Sequence, residues 1–386
     1  MRLNTAIGDD LSTADRPTNI LCGLMQLAAE TGIDCNGWFA GTRLQPEEIS
    51  DPDTRMSYRQ AITVIRRALP SLPVEGVGLV LGDRQNLGNF GLLGLAMKTA
   101  PDFGESVRVG LAYQRNSGAL MDITLAEHGD TCVAAVATAP DEASDLQPFL
   151  CEELFSSVLQ LVRELVGTDF RPLRLELGYP APRYAQRYRD LFDCEVRFGQ
   201  PRHALVIERR WLELPFASYN PATSNQVMTL CRMQMDVQPP CGETTAALES
   251  HLRTRLRENP QMAEMAAALH LSERTLRRQL ADEGTSFSAV HDRVRTKRAM
   301  ELLRDPKLSI VAIGGRLGFN DAREFRRAFK RWTGRAPSEA RRSGDGWQAP
   351  PCGENAAPRH LALPLRACVV MPQRGVAPLY KEPRAL

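Results

Sequence analysis

The chain has 386 residues, 43% hydrophobic and 24% charged, with a formal net charge of +2. That is globular composition, and the length suggests two or three domains whose cores need no disulfide staple. Nine cysteines, an odd number with no Cys-x-x-Cys pair, are too few for a disulfide scaffold and point to the reducing cytosol. Residues 1–10 hold no apolar run fit for a signal peptide. No stretch of about 18 apolar residues exists to span a membrane. A secreted or membrane protein is therefore not expected.

The near-zero net charge hides an asymmetry. Residues 1–249 hold 22 Lys/Arg against 32 Asp/Glu, whereas residues 250–343 hold 21 against 11. An acidic body joined to a basic module is the layout of a protein that meets a polyanion with one part only.

In chain order, residues 1–17 are polar and read as a flexible N-terminus. Ile20 to Ala29 reads as a helix burying Ile20, Leu24, Leu27 and Ala28. Tyr58, Ile62, Ile65 and Leu69 recur with helical spacing, and Pro70 ends that helix. Val77 to Leu81 is a short apolar run that predicts a strand. Asn86 to Gly94 is glycine-rich and undecided. Asp102 to Asn116 predicts a helix. Then Met121, Ile123 and Leu125 alternate with polar residues, and Cys132 to Thr138 returns after a Gly129 turn, which predicts a hairpin. Leu146 through Leu165 marks a long amphipathic helix. Strands follow at Leu173–Leu177, Val196–Phe198 and Ala204–Glu208, and helices at Tyr184–Phe192 and Thr223–Asp236. Residues 18–237 thus predict one α+β domain.

Gln238-Pro239-Pro240-Cys241-Gly242 breaks the pattern, so residues 238–243 read as a linker. From 244 to 343 everything reads as helix. The last 43 residues, 344–386, hold seven prolines and four glycines and are expected to be a disordered tail.

The basic helical part carries two helix-turn-helix units, at about 261–283 and 309–333. In the first, Met262, Met265, Ala266 and Leu269 form the inner face of one helix. Ala266 allows close approach, His270-Leu271 makes the turn and Ser272 caps the second helix. Leu276 and Leu280 face inward, which leaves Arg274, Arg277 and Arg278 outward. His270 stands where glycine is the easy residue. His is among the side chains enriched at positive φ, but the sequence leaves its conformation open. In the second unit Ser309 caps a helix with Ile310, Ile313 and Leu317 inside. Gly318 supplies the turn, next to Phe319. Asp321 with Glu324 predicts a capping-box-like start. Phe325, Phe329 and Trp332 form the buried face, while Arg323, Arg326, Arg327, Lys330 and Arg331 populate the others. A long helix, Phe287 to Leu303, joins the units.

The stretches Ser272–Leu280, Leu317-Gly318-Phe319-Asn320-Asp321 and Phe325–Gly334, followed by Pro337-Ser338, resemble the DNA-binding domain of AraC/XylS-type transcription regulators. Asp51-Pro52, Gly78-Leu79 with Leu81-Gly82, and Cys194–Phe198 are similar to the arabinose-binding-like sensor domain of the ornithine-utilisation and virulence-regulator branch. The resemblance implies an α+β sensor and dimerisation domain followed by an all-α domain of two helix-turn-helix units joined by a long helix. It implies a homodimer on double-stranded promoter DNA, an unidentified small-molecule effector, RNA polymerase as partner, and activation more than repression. By the same analogy Arg274, Arg277, Arg278, Arg323, Arg326 and Arg327 read bases, and Lys330 and Arg331 touch phosphate. The chemistry agrees: an arginine reaches guanine O6 and N7 with two hydrogen bonds. One departure stands out. The family usually carries alanine where Gly314 stands, and Gly315 follows it. Each glycine inside a helix costs roughly 1 kcal/mol relative to alanine, so the second unit is expected to be marginal and to tighten on DNA.

Other chemistry finds no support. There is no P-loop, and Gly88, Gly91 and Gly94 are misspaced for a dinucleotide fingerprint. The six histidines are scattered, so no metal is expected. No carboxylate pair is marked out for acid–base work, and neither catalysis nor a cofactor is expected. Two alternatives to a specific regulator remain: a nonspecific or nucleoid-type DNA binder, and a nucleic-acid-modifying enzyme.

Overall fold

The computed structural model describes residues 11–236 and 240–343. Strand β1 (Thr13–Pro17) leads into helix α1 (Asn19–Thr31), whose buried face carries Ile20, Leu21, Leu24, Leu27 and Ala28. Gly32, at φ 71°, ends the helix in the left-handed conformation that glycine adopts without penalty. The expectation of a flexible N-terminus over residues 1–17 is corrected for Thr13–Pro17, which form β1, while residues 1–10 lie outside the described residues. Strand β1 pairs antiparallel with β2 (Arg55–Ser57), and Ala14 is buried. Helix α2 (Tyr58–Ala68) starts from a capping box in which Ser57 Oγ accepts from Gln60 N and Gln60 Oε1 accepts from Ser57 N.

The run predicted as a strand at Val77–Leu81 is helix α3 (Val77–Asp83). Helices α4 (Gly91–Lys98) and α5 (Phe103–Ala112) follow, the latter capped by Asp102. The hairpin β3 (Ile123–His128) and β4 (Thr131–Val136) leads to the long α6 (Gln147–Val166). The physical reason for α3 lies in that partner. Gly78 and Gly82 are four residues apart, on one helix face. A Cβ on Gly78 would lie 2.5 Å from the Phe149 carbonyl oxygen, and one on Gly82 2.5 Å from that of Glu153. The two glycines let α3 press its backbone on α6, which no side chain at these positions would allow.

Strand β5 (Arg174–Glu176), helix α7 (Ala185–Phe192), and strands β6 (Glu195–Arg197) and β7 (His203–Glu208) complete a five-stranded sheet of order β3-β4-β7-β5-β6. Only β5 and β6 run parallel. Helix α8 (Pro221–Asp236) packs on α4 and α5 through Leu93, Ala96, Val109, Val227 and Cys231. Strand β8 (Cys241–Gly242) then pairs with the free edge of β1, giving a second sheet of order β2-β1-β8. The segment read as a linker, 238–243, is thus structured at its end. Cys241 and Gly242 form a strand, and Glu243 opens the next helix.

The remainder is helical: α9 (Glu243–Arg255), α10 (Met262–Ala268), α11 (Glu273–Asp282), α12 (Phe287–Leu303), α13 (Ile310–Arg316), α14 (Ala322–Thr333) and α15 (Pro337–Ser343). Leu248, Met265, Leu280, Val290, Ile313 and Phe329 belong to a core separate from that of the α+β half. The tail expected to be disordered, 344–386, lies outside the described residues.

Candidate nucleic-acid interface

The first unit is built as two short helices around a forced turn. Helix α10 opens with a capping box between Gln261 and Glu264 and ends at Leu269. His270 has φ 55°, the left-handed conformation, and Leu271 N donates to Ala266 O at 2.8 Å. Ser272 Oγ accepts from Thr275 N at 3.1 Å and starts α11. Leu276 and Leu280 are fully buried, Ala266 nearly so, and Leu271 packs partly buried at the edge. Arg274, Arg277 and Arg278, spaced by three and four, are exposed along one face. Arg277 Nη2 touches Met262 Sδ at 3.6 Å.

The second unit repeats the plan with different parts. Ser309 Oγ accepts from Ala312 N at 3.1 Å. Gly318 turns the chain at φ 80°, and a Cβ there would lie 2.5 Å from the Leu256 carbonyl oxygen, so conformation and space both demand glycine. Asp321 Oδ1 accepts from Arg323 N at 2.9 Å. The reciprocal Glu324 bond of a capping box does not form, so the expected start is a simple N-cap. Ile313, Phe325 and Phe329 are fully buried. Phe319 and Trp332 are partly buried, and the Phe319 ring lies 5.6 Å from Phe325 and 5.9 Å from Trp332. Arg323, Arg326, Arg327 and Lys330 are exposed on one side of α14. Arg331 is also exposed, but its Nη2 lies 2.9 Å from Asp292 Oδ2 on α12. Exposed pairs of that kind contribute about 0–1 kcal/mol, so Asp292 is an easily displaced partner.

Among the described residues, Arg274, Arg277, Arg278, Arg323, Arg326, Arg327 and Lys330 have no carboxylate partner. Two arginine-bearing helix faces without internal counter-ions can hold an external polyanion.

Some contacts had no signature in the sequence. Arg295 on α12 stacks its guanidinium 4.6 Å over the Phe319 ring, donates through Nε to Leu317 O at 3.1 Å and through Nη2 to Asn259 Oδ1 at 2.7 Å. It thereby pins the turn of the second unit to the connecting helix. The α+β half also grips the helical half. Arg43 donates to Thr244 Oγ1 at 2.9 Å and to Gln279 Oε1 on α11 at 3.3 Å. Glu243 accepts from Ser57 Oγ at 2.6 Å and pairs with Arg59 at 3.0 Å. Arg253 meets Asp51 at 3.3 Å.

Two helix-turn-helix units, each presenting a capped, arginine-faced second helix, define a DNA-binding regulator of the tandem kind. Residues 265–343 match the family model described as helix-turn-helix domain, and residues 32–216 match that of the arabinose-binding domain of AraC transcription regulator. The chain is 33% identical over 329 residues to the ornithine utilization regulator of Pseudomonas aeruginosa, covering 82% of this chain and 94% of that one. An uncharacterized HTH-type transcriptional regulator of Mycobacterium tuberculosis is 29% identical over 340 residues, 85% of this chain and 95% of that one. The crystal structure of the transcriptional regulator CdpR from Pseudomonas aeruginosa is similar, with 25% identity, a TM-score of 0.43, and coverage of 84% and 98%. The chain belongs to the AraC family of DNA-binding transcriptional regulators. These relatives are regulators rather than enzymes. Among the described residues no helix is long and apolar enough to cross a membrane.

Proposed function

We propose that this regulator binds promoter DNA sequence-specifically as a homodimer in the cytoplasm and activates transcription through RNA polymerase. A small-molecule effector held by the α+β half controls it. Arg274, Arg277 and Arg278 read bases from α11. Arg323, Arg326 and Arg327 read bases from α14 in the next major groove. Lys330 and Arg331 take phosphates, Arg331 by leaving Asp292. The observation that carries the reading is the pair of exposed arginine faces, neither neutralised from within, on helices fixed by separate N-caps. The contacts from Arg43 and Glu243 support the control by an effector, because they give the α+β half a direct grip on α9 and α11. Effector binding shifts the population of that gripped arrangement.

Competition binding tests the reading. A specific regulator prefers its promoter site over bulk duplex by about 10³-fold or more at physiological salt. Equal affinity for scrambled duplex would convert the protein into a nonspecific binder.

A further inference from the structure

A cavity of about 160 Å³ lies in the α+β half, walled by α1, α4, α5 and α6 and by strands β3, β4 and β7. Leu93, Phe103, Leu111, Leu161 and Leu205 are among its lining residues, and most of the wall is apolar. An apolar cavity of roughly 150 Å³ holds a benzene-sized molecule. Few polar groups face it, and they differ in how they are satisfied. Gln114 spends both ends of its amide on the Ile123 backbone. Asn19 donates through Nδ2 to Ser117 O, but its Oδ1 is buried with no protein donor in reach. Gln85 Oε1 is buried in the same state. Glu153 takes a hydrogen bond from Ser157 Oγ at 3.1 Å. Burial pushes its carboxyl up to about 7. The two fully buried lining atoms left without a partner, Asn19 Oδ1 and Gln85 Oε1, are both acceptors.

We propose that this cavity is the binding site for a small apolar amine or alcohol, about one ring or a short chain in size, whose donor head meets Glu153. The inference rests on the reading that the α+β half takes an effector, and it names the chemistry. A free diamino acid fits poorly. Its two ammonium groups and its carboxylate would lose their hydration against a mostly apolar wall. The site is also placed to report its occupancy. Phe90, Leu93 and Met97 wall the cavity from α4 and its approach, and the same stretch packs on Val227 and Cys231 of α8. Helix α8 is the last described element before β8 and the DNA-binding half. A ligand that moves α4 therefore bears directly on α8.

The test uses the full-length protein at pH 8, with benzylamine and toluene as probes, by calorimetric titration and thermal melting. Both bind saturably and raise the melting temperature. Benzylamine binds more tightly than toluene, and Glu153→Gln weakens benzylamine by roughly tenfold or more while sparing toluene. Val158→Trp, which fills the cavity, abolishes both. If that variant does not fold, Ala134→Leu and a xenon NMR shift on the unaltered protein, displaced by toluene, replace it. Absence of saturable binding by either probe overturns the proposal. So does binding unaffected by cavity filling, and so does toluene binding that exceeds benzylamine with no effect of Glu153→Gln. Promoter affinity is measured separately. Probe binding that leaves DNA affinity untouched supports the site and counts against effector control.

Discussion

Lys297 Nζ lies 2.8 Å from Asp53 Oδ1, so the helix that joins the two DNA-binding units is tied to the loop before β2. Burial pushes the Asp53 carboxyl up, but the hydrogen bond and charge of Lys297, helped by Arg253 and Arg55, outweigh it and hold the carboxyl below its ordinary range. A lowered folded value means that the stabilisation is full above the unfolded value, near 3.9. It is lost as pH falls through the folded value. At neutral pH the contact is intact. Both side chains are partly exposed, so Asp53→Asn is expected to cost about 0.5–1 kcal/mol at pH 7 and to flatten the acid limb of the stability profile. Melts between neutral and acidic pH check it, and an unchanged acid limb would sink the idea.

The glycine pair in α13 separates into two cases. A Cβ on Gly315 meets nothing within 4 Å, whereas one on Gly314 lies 3.2 Å from Phe325 Cβ. Gly315→Ala should therefore raise stability by about 0.5–1 kcal/mol, the helix-propensity gain. Gly314→Ala should gain less, or lose, because Phe325 must give way in a full core. Denaturant titration of the two variants ranks them, and equal gains would contradict the close approach.

Base reading and phosphate contact predict different mutant behaviour. Arg277→Ala and Arg326→Ala are each expected to cost about 1–3 kcal/mol on the promoter site and to relax discrimination there. The first unit is expected to dominate, since α11 is also the helix held from the α+β half. Lys330→Ala should weaken all duplexes alike and reduce the salt slope by about one. Affinity measured against salt on specific and scrambled duplex distinguishes the two patterns.

Glu153 gives a pH signature in the opposite sense to Asp53. Its folded carboxyl is pushed up to about 7, above an unfolded value near 4.3. The stability that the neutral form confers is full below the unfolded value and is lost as pH rises through about 7. Glu153→Gln should remove that decline between mildly acidic and neutral pH. Melting temperatures of the two proteins across this range should diverge as pH rises, and parallel curves would show that the carboxyl is ionised throughout.

Much of the DNA-binding half was legible in the sequence because its signals are local. Ser272 and Ser309 stand one residue before their helices. Leu276 and Leu280, or Phe325 and Phe329, are four apart and mark a buried face that leaves the arginines outside. The α+β half was legible where its pattern is periodic, as in α6 and the β3–β4 hairpin. It failed where the deciding partner is distant. A five-residue apolar run does not distinguish a strand from a buried helix. At Val77–Leu81 the choice was made by the backbone of α6, some 70 residues on. The stack of Arg295 on Phe319 joins different helices, and the Lys297–Asp53 pair joins different halves of the chain, so no spacing announces either one.

Strand β1 has β2 along one edge and β8 along the other. Strand β1 is one of the stitches that hold the start of the DNA-binding half to the rest. A fragment trimmed to begin at residue 18, where composition alone would place the first domain, loses the middle strand of that seam. Cys241 and Gly242 then lose their strand pairing with Ala14 and Thr13. Such a truncated chain keeps both arginine faces and the cavity, and its halves are then held by the contacts of Arg43, Glu243, Arg253 and Lys297 without the sheet between them.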